Sequence, residues 1–423
     1  MRPPATAKAH HHYGLAWLLA ALSAIGPFST DTYLPSMPEL STVFGVPLTL
    51  VQQTLTAYMV PFAMMTLWQG AISDALGRRR VTLVMLLVFT VASLGCMVAW
   101  RIEVLIAFRA LQGMSAGAGM VIGRAVVRDL LDGAEARRLM ARVAVVFAIA
   151  PAAGPVLGGW LHVWFGWRSV FAFLLLYAFA LWGWCWRRLP ETLPPAQRQP
   201  LRVGALLRGY RQVGGSAPFV ALVLSVTLNF SAMFLYIISA PMFIMTHLGL
   251  TETDFLWLFG PITGGLLIGT WLSGRLAHTL SNHRTVLLAY GFMFCAAAGN
   301  VGMHFLRPPA VPWSVLPLVV YVIGSSLAMP SLTLMALDLF PRQRGMASSC
   351  QSFVQSGGNA LVTAVIAPWL WGSVRTMALG QLVMLGGGML AYGFYWRIRN
   401  SGGTPPHGDE HAVGVEHLRP EKS

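Results

Sequence analysis

Two charged residues, Asp31 and Arg109, interrupt long apolar stretches of the sequence. The run from Tyr13 to Thr30 contains no charged residue, and the carboxyl group of Asp31 follows it directly. Arg109 lies inside the stretch LIAFRALQGMSAGAGMVIG. A carboxyl group can bind and release a proton, and a guanidinium group can pair with the charged carboxylate. We therefore favour a proton-exchange role for Asp31, with Arg109 deciding when Asp31 is charged and when it is neutral.

Each of these two residues also has a purely structural interpretation. At about 1.5 Å per residue, Asp31 lies about 27 Å along its helix, where it could be an interfacial acid or a cap for a following turn. Arg109 could join helices through carbonyl oxygen atoms alone, and the sequence leaves open whether the two side chains touch. Gly113 and Gly117, at four-residue spacing, predict close approach of a neighbouring helix. Intramembrane charges are costly unless they have a function, which favours the first interpretation.

The composition predicts a membrane protein. Hydrophobic residues make up 56% of the chain and charged residues only 10%, whereas a soluble domain carries roughly 25% charged residues. The sequence divides into apolar stretches of about the 20 residues that an α-helix needs to cross a bilayer. We predict an all-α polytopic membrane protein with twelve transmembrane helices. Their predicted centres are Leu22, Val60, Phe89, Met114, Pro151, Leu176, Phe230, Leu266, Phe294, Gly324, Ser356 and Gly386.

The connectors predict orientation and internal symmetry. Most of the 29 Lys and Arg residues lie in the tails and in every second connector, which predicts that both termini are cytoplasmic. The net charge of +14 is explained in this way and does not indicate nucleic-acid binding. Two repeated halves around a central site are a common plan of secondary transporters. The predicted units are an N-terminal six-helix half at 1–186, a cytoplasmic linker at 187–216, a C-terminal six-helix half at 217–399 and a disordered cytoplasmic tail at 400–423.

The connector after the second stretch, GAISDALGRRR, is the sharpest motif. Glycine permits a tight turn, arginine holds it at the inner surface, and an acid there can pair with a cation or with a helix N-terminus. The matching connector after the eighth stretch, GTWLSGRLAH, retains Arg275 but has Ser273 and no acid. Asp338 and Arg342, before the eleventh stretch, are candidate counterparts in the other half. The candidate site residues of this loop are Gly70, Asp74, Gly77, Arg78, Arg79 and Arg80.

Other polar and aromatic residues in the apolar stretches are candidates for lining a substrate cavity. Gln351, Gln355 and Asn359 fall at i, i+4 and i+8 and therefore share one helix face. Such a stripe either forms hydrogen bonds between helices or lines a cavity, and the sequence does not favour one over the other. The full candidate set is Tyr33, Tyr58, Gln112, Asn229, Tyr236, Gln351, Gln355 and Asn359.

Four motifs together resemble the major facilitator superfamily. The loop from Gly70 to Arg80 resembles the superfamily's loop signature, although Ala75 stands where Arg or Lys is usual. The resemblance implies that this loop is a gate, and we call it the gating loop. RALQGMSAGAG from Arg109 resembles the fourth-helix signature of proton-coupled members. STDTYLPSMPEL and VQQTLTAYMVPFAMMTLWQG resemble the bicyclomycin-resistance (Bcr/CflA) subfamily of drug:proton antiporters. APAAGPVLGG from Ala150 resembles the fifth-helix signature of exporters, with Ala150 in place of Gly, and supplies Gly154, Pro155, Gly158 and Gly159.

The resemblance implies a function without enzyme activity. It implies proton-coupled efflux of small, mostly apolar or amphipathic compounds by alternating access, in the bacterial cytoplasmic (inner) membrane. The implied partners are a small-molecule substrate, protons and the lipid bilayer, and the implied state is a monomer. No cofactor or metal is expected, and without a GxxxxGK[ST] loop the proton gradient, not ATP, is the expected energy source. A proton-coupled importer or a metabolite exporter with the same fold is the alternative, and the fifth-helix motif disfavours the importer.

Overall fold

The fold was derived from a computed structural model that describes residues 5–130 and 133–401. All regular structure in these ranges is helical. Every predicted span centre lies inside a helical segment, so the predicted twelve-helix membrane fold is confirmed. In chain order the segments are α1 Ala5–Asp31, α2 Leu48–Leu76, α3 Arg78–Met97, α4 Ile102–Leu130, α5 Gly133–Phe165, α6 Arg168–Arg188, α7 Ala217–Ile238, α8 Leu256–Leu276, α9 Asn282–Leu306, α10 Leu316–Asp338, α11 344–370 and α12 Val374–Ser401.

The segments differ in how regular and how apolar they are. Within the described part of the chain, 8 helices are long and apolar enough to cross a membrane by length and composition alone. The other four are α1, α2, α5 and α11. The first three contain internal prolines, and a π-helical turn at Val362–Ile366 interrupts α11. These four segments carry Asp31, the fifth-helix motif and the amide stripe of Gln351, Gln355 and Asn359.

Helix pairing repeats between the two halves. In the N-terminal half α2 packs on α4, and in the C-terminal half α8 packs on α10. Between α6 and α7 the connector contains the helix Val203–Gly214. The short helix Met37–Phe44 follows α1. Most of the tail predicted at 400–423 lies outside the described residues.

Glycines of α4 bring its backbone against two neighbouring helices. A Cβ atom added at Gly113 would lie 2.0 Å from the carbonyl oxygen of Tyr58 in α2, and one at Gly119 would lie 2.3 Å from that of Leu22 in α1. A Cβ at Gly117 would lie 2.8 Å from the side-chain oxygen of Gln69. The predicted close approach at Gly113 and Gly117 is therefore confirmed. It presses the helix that carries Arg109 directly onto α1 and α2.

The two halves meet through neutral contacts. We call the end of the bundle where α1 finishes the Asp31 end, and the opposite end the Arg78 end. At the Asp31 end the Nε2 of Gln52 in α2 donates to the carbonyl oxygen of Thr363 in α11, at 3.4 Å. At the Arg78 end the connector between the halves contacts α2, where the hydroxyl of Tyr210 donates to the carbonyl oxygen of Leu67, at 2.6 Å. None of the ion pairs among the described residues joins one half to the other.

Candidate functional site

Arg109 lies fully buried between α1 and α2. Its Nη1 donates to the carbonyl oxygen of Ser29, at 3.0 Å, and to the Oε1 of Gln112, at 2.5 Å. Its guanidinium carbon lies 4.5 Å from the ring centroid of Tyr58 and 5.0 Å from that of Tyr33. A cation between two aromatic faces is attracted by both rings. Arg109 thus links three helices around one positive charge.

The guanidinium group of Arg109 retains hydrogen-bonding capacity. Its Nε and Nη2 atoms have no hydrogen-bond partner among the described residues. Arginine carries five N–H donors, and a buried charge without partners is costly. In the structural interpretation Arg109 binds only carbonyl oxygen atoms. That interpretation accounts for the bond to Ser29 and leaves the Nε and Nη2 atoms unexplained. They are available to an acceptor that enters or moves within this space.

Asp31 is the last residue of α1 and is only 6% exposed. The hydroxyl of Thr30 donates to its Oδ1, at 2.9 Å. Among the described residues, no ion pair includes Asp31 or Arg109, and their link runs through Ser29, two residues before Asp31. The cap alternative is wrong, because the N-cap of the following turn is Tyr33. Tyr33 itself therefore lies just beyond the first helix rather than inside it.

The glycines of the fifth-helix motif allow α5 to lie against the end of α1. A Cβ atom at Gly154 would lie 2.9 Å from the Cβ of Asp31, and one at Gly158 would lie 2.1 Å from the carbonyl oxygen of Thr32. On the next face, a Cβ at Gly159 would lie 2.1 Å from the carbonyl oxygen of Glu252, which precedes α8. Pro155 lies within the helix between these contacts. The motif therefore places Asp31 next to the helix that contacts the opposite half.

The gating loop is organised around Arg78. Its guanidinium group pairs with Asp74, donates to the Oδ2 of Asp129 in α4, at 3.3 Å, and donates to the hydroxyl of Ser73, at 2.6 Å. The turn at Gly77 has φ +100°, a conformation that favours glycine. The predicted tight turn is therefore stabilised by the ion pairs of Arg78 and by the positive φ angle of Gly77.

Two acids that complete this loop were not predicted as site residues. Asp129 lies near the end of α4, and the Oε1 of Glu191 accepts from the backbone N–H of Arg78, at 2.9 Å. A Cβ atom at Gly77 would lie 2.5 Å from the Oε2 of Glu191. Both acids lie at the same end of the bundle as the sequence GRRR. The predicted orientation of the helices places them at that end, and it is the sequence signal that could have pointed to them. Sequence spacing gave no reason to prefer them over other acids in connectors.

The acids of the gating loop and of its candidate counterpart each pair within their own half. Asp74 contacts Arg78 of its own half, and the described residues show no ion pair from it to the C-terminal half. Of the candidate counterparts Asp338 and Arg342, Asp338 pairs with Arg344, at 2.7 Å, and none of the ion pairs of the described residues joins either of them to the gating loop. Arg79 donates to the carbonyl oxygen of Trp186 in α6, at 2.7 Å. Of the other loop residues, Arg80 is exposed, and a Cβ at Gly70 would make only an ordinary contact.

The cavity candidates of the N-terminal half surround Arg109. The hydroxyl of Tyr33 bonds to that of Thr54, at 2.8 Å, and the hydroxyl of Tyr58 donates to the carbonyl oxygen of Gly26, at 3.3 Å. Gln112 accepts from Arg109 and donates to Ser93, at 2.9 Å. The structure therefore brings Tyr33, Tyr58 and Gln112 together as the immediate shell of one buried cation.

The candidates of the C-terminal half connect neighbouring helices. Asn229 donates to the hydroxyl of Tyr290, at 3.1 Å, and Tyr236 accepts from Asn300, at 2.8 Å. In the amide stripe, Gln351 donates to Thr333, at 2.8 Å, Asn359 accepts from Ser231, at 3.3 Å, and Gln355 is half-buried. For Gln351 and Asn359 the stripe thus forms hydrogen bonds between helices. Among the described residues, no three His, Cys, Asp or Glu side chains are grouped to hold a metal ion.

Comparison with protein families places this arrangement in a known group. The model described as Major Facilitator Superfamily matches residues 18–363. An uncharacterized MFS-type transporter of Bacillus subtilis is 30% identical over 337 residues, which cover 79% of this chain and 84% of the relative. Multidrug resistance protein D of Escherichia coli is 26% identical over 366 residues, which cover 85% of this chain and 90% of that protein.

Two further comparisons extend this result. A bicyclomycin resistance protein homolog of Haemophilus influenzae is 24% identical over 386 residues, covering 89% of this chain and 94% of the homolog. It confirms the resemblance drawn from the amino-terminal motifs. Among solved structures, a D-xylose-proton symporter matches with a TM-score of 0.72 at 14% identity, over 91% of this chain and 97% of the symporter. At that identity the likeness concerns the fold alone.

Proposed function

The chain belongs to the major facilitator superfamily, and we propose that it exports small, mostly apolar or amphipathic compounds in exchange for protons. One observation carries the proposal: the carboxyl group of Asp31, 6% exposed and outside the ion pairs of the described residues, lies two residues from the carbonyl that Arg109 binds. Relatives named for multidrug and bicyclomycin resistance support export of drug-like compounds. The proposed setting is the bacterial inner membrane, with both termini cytoplasmic.

The proposed mechanism uses α5 to couple Asp31 to movement of the halves. α5 contacts Asp31 through Gly154 and the opposite half through Gly159. A rocking of one half against the other, the general basis of alternating access, therefore changes the surroundings of Asp31. In one state Asp31 is buried and neutral, and in the other it is open to water and releases its proton. Approach of the free N–H groups of Arg109 stabilises the charged carboxylate, and bound cargo competes with the proton.

The proton gradient supplies the energy in this proposal, with no cofactor and with a monomer as the working unit. An importer would use the same fold, and the direction of transport decides between the two. Inverted vesicles loaded with a pH-sensitive dye provide that test. An exporter accumulates bicyclomycin inside them only while the vesicle interior is acidic. Accumulation at the full rate without a pH gradient contradicts proton coupling.

The residue assignment has its own experiment. Adding bicyclomycin to detergent-solubilised wild-type protein is expected to release protons, and Asp31→Asn is expected to release none. Asp254→Asn is the matched control. Asp254 lies in an exposed loop, where the hydroxyl and the backbone N–H of Thr251 donate to its Oδ2, at 2.7 and 2.9 Å, and hold the pKa of this carboxyl below its usual value. Unchanged release from Asp31→Asn assigns the coupling to another group.

A further inference from the structure

α6 carries a groove on the outer surface of the bundle, near the Arg78 end. Its volume is about 480 Å³. Gly183 lies in its lining, and a Cβ atom added there would meet no atom within 4 Å. A side chain at this position would therefore project into the groove. Its lining includes Phe179, Trp182, Gly183, Trp186, Arg187 and Arg188.

Stacked aromatic rings form one wall of the groove. The ring centroids of Phe179 and Trp182 are 6.1 Å apart with planes inclined by 11°, and those of Trp182 and Trp186 are 5.4 Å apart with planes inclined by 27°. Phe179 is 57% exposed and Trp186 is 56% exposed, so protein does not cover these rings. On a membrane-spanning helix an exposed apolar surface contacts lipid chains. The stack provides a continuous surface of about two helical turns for one chain.

Guanidinium groups lie at the end of this aromatic surface. Arg187 and Arg188 are exposed at the last residues of α6. The guanidinium carbon of Arg79 lies 5.5 Å from the ring centroid of Trp186. None of the ion pairs of the described residues includes these three arginines. Glu191, the carboxylate that follows them in sequence, accepts from the N–H of Arg78 and pairs with Arg198, at 3.8 Å.

We propose that this groove is a binding site for one anionic phospholipid. Its phosphate group binds the guanidinium groups of Arg187 and Arg188, and one acyl chain lies along the stacked rings above Gly183. Charge complementarity selects the occupant, because positive groups at the membrane surface attract anionic lipids and guanidinium binds phosphate through two parallel hydrogen bonds. Arg79, which belongs to the gating loop, lies against the end of the aromatic stack at Trp186.

Native mass spectrometry of the full chain tests this proposal. The protein is titrated with phosphatidylglycerol and, in parallel, with phosphatidylcholine of the same acyl chains. Gly183→Phe adds an aromatic ring to the groove at a position where an added Cβ meets nothing within 4 Å. The matched control is Gly291→Phe, at an exposed position in α9 where an added Cβ also meets nothing within 4 Å. A second variant, Arg187→Gln with Arg188→Gln, removes the charges and leaves the groove open.

Wild type and Gly291→Phe are expected to bind one phosphatidylglycerol molecule more tightly than phosphatidylcholine. Removing both arginines is expected to weaken that binding about tenfold or more, and Gly183→Phe is expected to abolish it. Equal affinity for the two lipids indicates an ordinary interfacial belt and overturns the proposal. Unchanged phosphatidylglycerol binding in Gly183→Phe, or in the double arginine variant, overturns it as well. No outcome depends on whether the chain transports protons.

Discussion

The two halves use the same helix contact with different chemistry. In the N-terminal half, Arg109 of the fourth helix donates to the carbonyl oxygen of Ser29 in the first helix, at 3.0 Å. In the C-terminal half, the hydroxyl of Tyr321, in the corresponding helix α10, donates to the carbonyl oxygen of Asn229 in α7, at 3.0 Å. The architecture is thus repeated, but only the first version carries a charge.

This difference indicates how the halves divide their tasks. A phenol has one donor, and the bond of Tyr321 to Asn229 uses it. A guanidinium group has five donors, and two nitrogen atoms of Arg109 have no partner among the described residues. Hydrogen-bond networks of neutral side chains, such as those in the C-terminal half, hold neighbouring helices in one arrangement. A buried cation with spare donors can instead respond to a carboxyl group whose charge changes, and Asp31 lies two residues after Ser29, whose carbonyl oxygen Arg109 binds.

The loops after the second and eighth helices show the same contrast. Arg78 binds Asp74 and Asp129, whereas the guanidinium carbon of Arg275 lies 4.9 Å from the ring centroid of Trp271. The acid is present in one repeat and replaced by Ser273 in the other. At both positions the N-terminal half uses charged hydrogen bonds or ion pairs, where the C-terminal half uses a neutral hydrogen bond or a cation over an aromatic ring. Paired substitutions in the two halves can test whether function follows this asymmetry.

The largest effect is expected at Arg109. Arg109→Ala removes the cation that stabilises charged Asp31, and we expect it to abolish proton release on addition of a transported compound. Arg109→Lys should restore release in part, because lysine keeps the charge but cannot offer the planar fork. The corresponding change in the other half, Tyr321→Phe, removes one neutral hydrogen bond. It should lower the free energy of unfolding by about 1 kcal/mol and leave proton release intact.

Proton release and thermal unfolding, measured on the same purified samples, separate these outcomes. A loss of release in Tyr321→Phe equal to that in Arg109→Ala contradicts the proposed division between the halves. Arg109→Met provides a further check. Burying a charge that has no opposite charge beside it is costly, and relief of that cost offsets the two hydrogen bonds that this change removes. This variant should therefore unfold no earlier than wild type while it fails to release protons.

The next effect concerns the packing of the first helix on the fifth in each half. A Cβ at Gly158 would lie 2.1 Å from the backbone oxygen of Thr32, which cannot move without moving the chain. A Cβ at Gly358 of α11 would lie 2.4 Å from the side-chain methyl of Thr227 in α7. The hydroxyl of Thr227 has no partner among the described residues, so its side chain can rotate without losing a hydrogen bond.

We therefore expect Gly158→Ala to abolish efflux and lower the melting temperature by several degrees, and Gly358→Ala to keep most of both. Gly302→Ala, where an added Cβ meets nothing within 4 Å, controls for the substitution itself. Efflux in vesicles and thermal unfolding measure the two properties. Equal loss in Gly158→Ala and Gly358→Ala would show that the fifth-helix motif has no special steric role.

The sequence predicted the fold and the charged residues but not how they are connected. Twelve apolar stretches and the split near residue 187 follow from hydropathy, because crossing a bilayer constrains length and composition so strongly. Asp31 and Arg109 were identified for the same reason, because a charged side chain inside the membrane has a high free-energy cost. Their indirect link through Ser29 depends on the rotation of α1 and α4 about their axes, which hydropathy does not determine.

The gate shows the same limit. The loop residues were identified from local spacing, since a tight turn uses neighbouring positions. Asp129 and Glu191 come from α4 and from the connector after α6, and only the packed bundle brings them to Arg78. Asp338 and Arg342 were chosen as counterparts in the other half from their position in the sequence alone, and the structure shows Asp338 paired with Arg344 of its own half. Pairs close in sequence are predictable, and pairs made by helix packing are not.

The smallest effect is expected at Asp74. Its side chain is 44% exposed, and an exposed ion pair typically contributes only about 0–1 kcal/mol. In Asp74→Asn the guanidinium of Arg78 retains Asp129 and Ser73, so we expect turnover to fall a few-fold while ligand affinity stays unchanged. Arg78→Gln loses all three partners and should lower turnover further, whereas Arg275→Gln in the opposite half should have no effect. Transport rates in vesicles and equilibrium binding to purified protein measure these quantities separately. A turnover for Arg275→Gln as low as that for Asp74→Asn would show that both loops contribute equally, and would remove the charge asymmetry from the explanation of the gate.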